Sequence, residues 1–252
     1  MALVERVVHG SIHELRLARP PVNALDPALC DELARAIADA IAAGASGLVL
    51  SGGPKVFSAG LDVPHLVSLG EDRAALTASW EAFFAAARAL ARAPVPVVAA
   101  IAGHAPAGGC VLALCCDYRV MAEGPFRIGL NETQVGLVAP EGIQHLLRRV
   151  VGPYRAERLL VAGELVDAER ALALGLVDEL ANLDGVAVRA RAWLEGVLAL
   201  PRQPMLETRS IARADLVAAL DPERIRLDHF IAGWYSPDTQ AALRELVARL
   251  GK

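Results

Sequence analysis

The spacing of apolar residues along the chain alternates between every second position and every third or fourth. The first spacing is typical of strands, and the second is typical of helices that pack one face on a core. The predicted strands are residues 4–8, 12–17, 47–50, 97–102, 118–121 and 126–128, of which the first two form a hairpin-like opening. Strands that alternate with helices predict an α/β protein.

Two long helices are predicted among these strands. The first begins after Asp26, which is followed by Pro27 as in many helix N-termini, and it ends at Gly44. A loop over residues 51–66 leads to an alanine-rich helix that stops before Pro94. The face of this second helix that is expected to be buried carries Leu76, Trp80, Phe83, Ala87 and Leu90.

Helix signals dominate the chain after residue 137. The predicted helices are residues 142–150, 153–161, 168–174, 184–198 and 236–250, the last one capped by Ser236. Only residues 176–178 have the pattern of a further strand. The sequence therefore predicts a sheet-containing core followed by a helical C-terminal region.

The composition favours a globular protein with a small ligand. The chain has 252 residues, 54% of them hydrophobic, and a net charge of −4 with scattered basic residues, which does not favour a nucleic-acid partner. No segment reaches the roughly 18 to 20 apolar residues of a membrane span, and the first residues do not resemble a signal peptide. We expect a cytoplasmic protein with no membrane or nucleic-acid partner.

The cysteines lack the spacing of a metal site or a redox pair. None belongs to a Cys-x-x-Cys motif, and no cluster of His, Cys and Asp has the spacing of metal ligands. We expect no metal. Reduced residues of the core are predicted at Cys30, Cys110, Cys115 and Cys116.

Two glycine-containing loops follow predicted strands, at FSAGLD (57–62) and GHAPAGGC (103–110), the second leading into a short helix near Gly109. Ligands often bind where loops follow strands in α/β proteins. Neither loop is a nucleotide-binding motif, since GHAPAGGC lacks the Lys and Ser/Thr of a P-loop. The glycines could serve only to form turns. Alternatively, backbone N–H groups of the two loops could converge on one oxyanion.

These loops and IGLNETQVGL (128–137) together resemble the crotonase, or enoyl-CoA hydratase/isomerase, superfamily over nearly the whole chain. The GLNET, PAGGC and CDYR stretches look most like monofunctional Δ3,Δ2-enoyl-CoA isomerases of fatty-acid oxidation. The resemblance implies a spiral of repeated ββα units over residues 1–190 and a helical trimerisation region over 191–252. It also implies a homotrimer or a dimer of trimers.

The resemblance further implies that the substrate is an acyl-CoA thioester, so coenzyme A belongs to the substrate and no separate cofactor is expected. The thioester carbonyl would be held by the backbone N–H groups of Leu61 and Gly108. Ala24, Ala59 and Gly60 would lie along the path of coenzyme A.

Glu132 is the candidate acid/base, with Asn131 beside it as a substrate contact. Hydratases of this family use two glutamates, and the position of the first is occupied here by Val111. Loss of that carboxylate disfavours the splitting of water, whereas one base suffices to move a proton from the alpha to the gamma carbon. Apolar surroundings would raise the Glu132 pKa towards the operating range of a general acid/base. A plainer interpretation is that Glu132 caps a helix starting near Thr133.

Three functions follow from this resemblance: isomerisation of 3-enoyl-CoA to 2-enoyl-CoA, another acyl-CoA reaction such as hydration or thioester hydrolysis, and acyl-CoA binding without catalysis. The second would need a further acid or an ordered water from outside the matched motifs, and Asp62, Glu81 and Glu141 are conceivable sources. Asp117 and Arg119 are predicted to pair beneath the site. Retention of both glycine loops and of Glu132 favours an enzyme.

Overall fold

The computed structural model describes residues 2–250, so residue 1 and residues 251–252, at the ends of the two predicted regions, lie outside it. The six predicted strands are confirmed to within one residue at each end. The strands are β1 Val4–His9, β2 Ile12–Leu17, β3 Gly47–Ser51, β4 Val97–Ile101, β5 Ala105–Pro106, β6 Tyr118–Ala122, β7 Arg127–Gly129, β8 Val166–Asp167 and β9 Glu179–Ala181.

The predicted strand at 176–178 is wrong, because the strand of this segment is β9, which starts at Glu179. Leu176 and Val177 are both buried, but their N–H groups bond to the carbonyl of Ala171 in the preceding helix. The buried turn that ends this helix therefore has a run of apolar residues like that of a short strand.

The strands form two sheets. The larger sheet has the order β1-β2-β3-β4-β6-β9, with β1 and β2 antiparallel and the other neighbours parallel. The smaller sheet pairs β5 with β7 in parallel and β7 with β8 antiparallel. Since β5 precedes the PAGG turn and β7 precedes Asn131 and Glu132, the small sheet brings two of the predicted site segments together.

The helices are α1 Pro27–Ala42, α2 Val63–Ser68, α3 Arg73–Ala91, α4 Gly108–Leu114, α5 Glu141–Val151, α6 Pro153–Ala162, α7 Ala168–Leu174, α8 Val186–Leu198, α9 Arg202–Ala212, α10 Ala214–Ala219, α11 Pro222–Ile225, α12 Leu227–Trp234 and α13 Pro237–Leu250. The predicted loop 51–66 was partly wrong, because α2 begins inside it. Asp62 accepts the His65 N–H at 3.1 Å and so caps α2. Within residues 2–250, no helix combines the length and apolar character needed to cross a membrane.

The central strands β3 and β4 are buried along their whole length, because helices cover both faces of the sheet. On one face, α1 and α3 pack together in the main hydrophobic core. On the other face, α8 covers β3, β4 and β6. The cysteines are free and buried, as predicted.

The predicted pair of Asp117 and Arg119 is wrong. Asp117 accepts from the guanidinium groups of Arg209 at 2.8 Å and Arg213 at 3.0 Å, whereas Arg119 pairs with Asp178 at 2.8 Å. Asp117 thus ties helix α9 and the residue after it to the sheet core, a long-range contact that neighbouring sequence does not reveal.

Candidate active site

The loop that carries Leu61 is joined to the VNALD segment by backbone hydrogen bonds. The Ala59 N–H donates to Val22 O at 3.0 Å, the Leu25 N–H to Gly60 O at 2.8 Å, and the Asp62 N–H to Leu25 O at 3.1 Å. No acceptor among residues 2–250 engages the N–H of Leu61. The bonding of its neighbours therefore leaves this donor available to a ligand.

The PAGG turn packs directly against this loop. A Cβ atom placed on Gly60 would lie 3.0 Å from the backbone nitrogen of Gly108, and Gly60 has a φ of +84°. Ala107 precedes the helix with a φ of +46°, unusual for a residue with a side chain. Gly108 begins α4, where an N–H group has no acceptor within the helix. The N–H groups of Leu61 and Gly108 are thus close neighbours, and neither has a hydrogen-bond acceptor among the described residues.

Glu132 lies in a 3-10 turn, Glu132–Val135, just after β7. The turn is held from two sides: the Thr133 hydroxyl donates to Leu160 O at 3.1 Å, and the Thr239 hydroxyl donates to Gly136 O at 2.6 Å. The second bond comes from α13, which packs on the turn so closely that a Cβ on Gly136 would lie 2.7 Å from Ala242 Cβ. The position of Glu132 therefore depends on the C-terminal helix.

The Glu132 carboxyl is poorly solvated. Its Oε2 atom is buried without a hydrogen-bond partner among residues 2–250, as is Oδ1 of Asn131. Burial raises the pKa of Glu132 to about 7, although its own backbone N–H opposes the rise. Burial first, and then the Glu132 charge, raise the pKa of the Cys110 thiol on α4. Glu132 therefore lies within electrostatic reach of the helix that Gly108 begins.

The capping interpretation of Glu132 finds no support, because the 3-10 turn begins at Glu132 itself and has Asn131 at its N-cap without a side-chain capping bond. The carboxyl is free for another role.

One cavity of about 670 Å³ joins these groups. Six of the seven predicted site residues line it: Ala24, Ala59, Leu61, Gly108, Asn131 and Glu132. Gly60 lies behind them, with its carbonyl bonded to Leu25 and its N–H bonded to the Ser58 hydroxyl at 3.2 Å. Val111 also lines the cavity, so the wall that α4 contributes there is apolar.

The other acids considered for water activation are engaged or distant. Asp62 lines the cavity, but it accepts from Arg19 at 2.7 Å and caps α2. Glu81 pairs with Arg88, Glu141 lies 4.0 Å from Arg148, and neither of these acids lines the cavity. Glu132 is thus the only carboxylate in the described cavity wall without a charged partner.

Comparison with known proteins decides the family. Residues 8–229 match the family model described as enoyl-CoA hydratase/isomerase. The chain belongs to the enoyl-CoA hydratase/isomerase family. This crotonase family acts on acyl-CoA thioesters, and the α/β crotonase fold that the sequence motifs implied is confirmed.

Some relatives of this chain are named isomerases and others are named hydratases. The chain is 32% identical over 253 residues to human mitochondrial enoyl-CoA delta isomerase 1, covering 98% of this chain and 83% of the relative. It is 37% identical over 234 residues to a probable enoyl-CoA hydratase of Mycobacterium tuberculosis, covering 87% and 85%. The crystal structure of human mitochondrial Δ3-Δ2-enoyl-CoA isomerase superposes with a TM-score of 0.93 at 30% identity, covering 99% of this chain and 98% of that one.

Two features of this family member's cavity escaped the sequence analysis. Arg19 lines the cavity and contacts Asp26, Asp62 and the carbonyl of Ala24. Its position just before the PPVNALD segment was the only available signal. The second feature is a group of aromatic rings from α3 and α12. Of these, Trp80 and Phe83 were predicted on the buried face of their helix, and the other rings were not singled out.

Proposed function

We propose that this chain is an isomerase that shifts the double bond of 3-enoyl-CoA to give 2-enoyl-CoA, as in fatty-acid oxidation, with Glu132 as its only proton carrier. The observation that carries the proposal is the Glu132 carboxyl. It has a buried, unpartnered oxygen and a pKa raised to about 7 by burial, and it shares its cavity with Val111 rather than with a second free acid.

The backbone donors suit the first step of this reaction. Removal of a proton from the alpha carbon moves negative charge onto the thioester oxygen and forms an enolate. The N–H groups of Leu61 and Gly108 are adjacent and free of other acceptors among the described residues. Fixed donors of this kind stabilise the enolate more than the neutral thioester, and one donor is typically worth roughly 3 kcal/mol.

Glu132 then completes the transfer. Its carboxylate takes the alpha proton and becomes a neutral acid, and the enolate charge delocalises over the adjacent double bond. The acid returns the same proton to the gamma carbon, the new double bond forms between the alpha and beta carbons, and the carboxylate is regenerated. A pKa near 7 makes both protonation states of Glu132 accessible at neutral pH.

Hydration of 2-enoyl-CoA is the second candidate, because the Mycobacterium tuberculosis relative is named a probable hydratase. Water addition needs one group to deprotonate water and another to orient it or protonate the alpha carbon. Val111 cannot take either part, and Asp62 is bound to Arg19. The arrangement of side chains therefore favours isomerisation.

The two reactions are separated by incubating the purified protein with 3-enoyl-CoA and, separately, with 2-enoyl-CoA in water enriched in oxygen-18. We expect the first substrate to give 2-enoyl-CoA of unchanged mass, and the second to give little 3-hydroxyacyl-CoA. Rapid formation of labelled 3-hydroxyacyl-CoA would make the protein a hydratase. Binding of both thioesters without any product would make it a non-catalytic acyl-CoA-binding protein.

We also propose that the chain assembles as a homotrimer or a dimer of trimers. Large hydrophobic side chains are exposed on the described surface, and side chains of this kind mark an interface where they form a contiguous patch. The exposed residues from the second half of the chain are Val138, Tyr154, Val161, Leu172, Leu183, Val188, Leu200 and Ile211. Light scattering coupled to size-exclusion chromatography would test this, and a monomeric mass would refute it.

A further inference from the structure

The aromatic residues of this chain are concentrated in one place. The chain has five phenylalanines and three tryptophans, in a protein only 4% aromatic. Three of these phenylalanines and two of these tryptophans line the same cavity as Glu132. We call them the aromatic wall: Trp80, Phe83, Phe84, Phe230 and Trp234.

Trp80 is the centre of the aromatic wall. Its ring centroid lies 4.4 Å from that of Phe230 and 6.2 to 6.3 Å from those of the other three members. The planes are tilted by 67° to 85° in three of these four pairs. Rings at such distances and angles attract each other edge to face. The five rings therefore hold one another in place as one aromatic surface of the cavity, and the buried indole N–H of Trp80 has no hydrogen-bond partner among residues 2–250.

The cavity also has a polar side, built from different elements. Arg19 and Asp62 line it beside the loops that carry the predicted coenzyme A contacts. The aromatic wall comes instead from α3 and α12, which pack on each other. A thioester held at Leu61 and Gly108 would place its charged coenzyme A towards the polar side. The far end of its acyl chain would then meet the aromatic wall.

We propose that the preferred acyl group carries an aromatic ring at its far end, so that the substrates are aryl-terminated enoyl-CoA thioesters. This inference rests on the proposed acyl-CoA site. Burial alone does not select an aryl ring, because a saturated ring of the same size has at least as much apolar surface to remove from water. Edge-to-face contacts with the rings of the aromatic wall are available only to an aryl ring.

The test uses saturated thioesters, which bind but cannot isomerise. Calorimetric dissociation constants would be measured for 6-phenylhexanoyl-CoA, 6-cyclohexylhexanoyl-CoA and dodecanoyl-CoA, which all have twelve acyl carbons. We expect the phenyl compound to bind about five-fold more tightly than the cyclohexyl compound, which corresponds to about 1 kcal/mol for an aromatic contact. Equal binding, or tighter binding of the cyclohexyl or linear chain, would overturn the proposal.

Single substitutions test whether the aromatic wall causes the preference for the phenyl compound. Phe230→Leu removes the ring closest to Trp80 and keeps an apolar side chain, so the phenyl preference should fall to less than about two-fold. Phe83→Leu provides a second test on α3. Ile143→Leu is the matched control, because Ile143 lines the same cavity without a ring, and its preference should stay at about five-fold. A preference that survives both ring deletions would show that the aromatic wall does not cause it.

This outcome is independent of the isomerase assay. If the chain binds the phenyl compound preferentially but does not convert 3-enoyl-CoA, the proposed reaction is wrong and the ring preference stands. If it converts linear 3-enoyl-CoA and binds the three saturated thioesters equally, the reaction stands and the ring preference is wrong.

Discussion

The Arg19 guanidinium donates a hydrogen bond to the Asp62 carboxylate at 2.7 Å, across 43 positions of the chain. The same guanidinium contacts Asp26 at 3.1 Å and the Ala24 carbonyl at 3.0 Å. Arg19 therefore fastens the VNALD segment to the residue that follows Leu61. Its planar group makes contacts in several directions at once, which a lysine cannot reproduce.

Arg19→Gln should lower kcat with a smaller effect on KM, because the Leu61 N–H would lose its fixed direction towards the enolate oxygen. We expect a fall of about ten-fold, less than the roughly 10²- to 10³-fold loss for deleting an oxyanion donor. Arg19→Lys should recover only part of the loss. Steady-state kinetics on 3-enoyl-CoA measure both effects.

The control for Arg19 is Arg35→Gln, since Arg35 is exposed on α1 and donates only to the Asp31 carbonyl. Its kinetics should match those of the unchanged protein. If Arg19→Gln raised KM with kcat constant, Arg19 would act on binding and not on the donor loop.

Gly60→Ala should abolish most activity. The new Cβ would lie 3.0 Å from the Gly108 nitrogen and 3.1 Å from Ala107 Cβ, so the two donors would be pushed apart. The variant would also be less stable, because alanine is strained at the φ of +84° that Gly60 adopts.

Gly44→Ala separates these two effects. Gly44 has a φ of +88°, but a Cβ there would meet no atom within 4 Å. Both variants should lose about 1 kcal/mol of stability from backbone strain, and only Gly60→Ala should also lose turnover. Equal turnover in the two variants, with thermal unfolding as the check on folding, would contradict a role for the contact between Gly60 and Gly108.

The candidate site residues were named through the family resemblance, which rests on short local motifs. Leu61 and Gly108 lie in glycine-containing turns and Glu132 lies in the GLNET stretch. Their roles as donors and as the proton carrier stay predictions. The α/β fold, most strands and the capping of α1 by Asp26, which accepts the Leu29 N–H at 2.8 Å, also follow from local patterns.

Contacts between distant segments could not be predicted. Trp80 meets Phe230 at 4.4 Å, but the apolar spacing of α3 shows only that Trp80 is buried, not which helix it meets. Asp117 pairs with Arg209 and Arg213 instead of its neighbour Arg119 because the chain returns from α9 to the end of the sheet. Such partners depend on tertiary packing, and the periodicity of one segment carries no information about which other segment it meets.

Glu132→Gln should reduce turnover of 3-enoyl-CoA by about 10²- to 10⁴-fold, the usual contribution of a general base. The amide has nearly the same shape but cannot accept the alpha proton. Binding of a saturated acyl-CoA should be almost unchanged, which calorimetry measures. Glu141→Gln is the control, because Glu141 begins α5 outside the cavity wall and should be dispensable. Normal turnover in Glu132→Gln would remove Glu132 from the mechanism.

The route of the proton can be followed with a deuterium label on the alpha carbon of 3-enoyl-CoA. Because the Oε2 atom of Glu132 is buried, the deuteron it takes should be returned to the gamma carbon of the same molecule before it exchanges. We expect a substantial fraction of the 2-enoyl-CoA to carry deuterium at the gamma carbon, measured by mass spectrometry at low conversion. Complete loss of the label to solvent would show that another group or water supplies the gamma proton.

The raised pKa of Glu132 should also appear in the stability of the protein. Burial raises this pKa from 4.5 to about 7, so between these values the folded state binds more protons than the unfolded state. Stability contributed by the neutral carboxyl is therefore complete below pH 4.5 and is lost as the pH rises through 7. By pH 7 this shift lowers the free energy of unfolding by about 3 kcal/mol.

Glu132→Gln removes this titration, because its amide stays neutral. We expect the variant to be more stable than the unchanged protein at pH 8 and close to it at pH 4.5, measured by urea unfolding at both values. Turnover of the unchanged protein should move in the opposite direction and rise with an apparent pKa of about 7, since the reaction starts from the carboxylate. Equal stability of the two proteins at pH 8 would mean that Glu132 titrates as an ordinary carboxyl, and the activity would then rise near pH 4.5 instead.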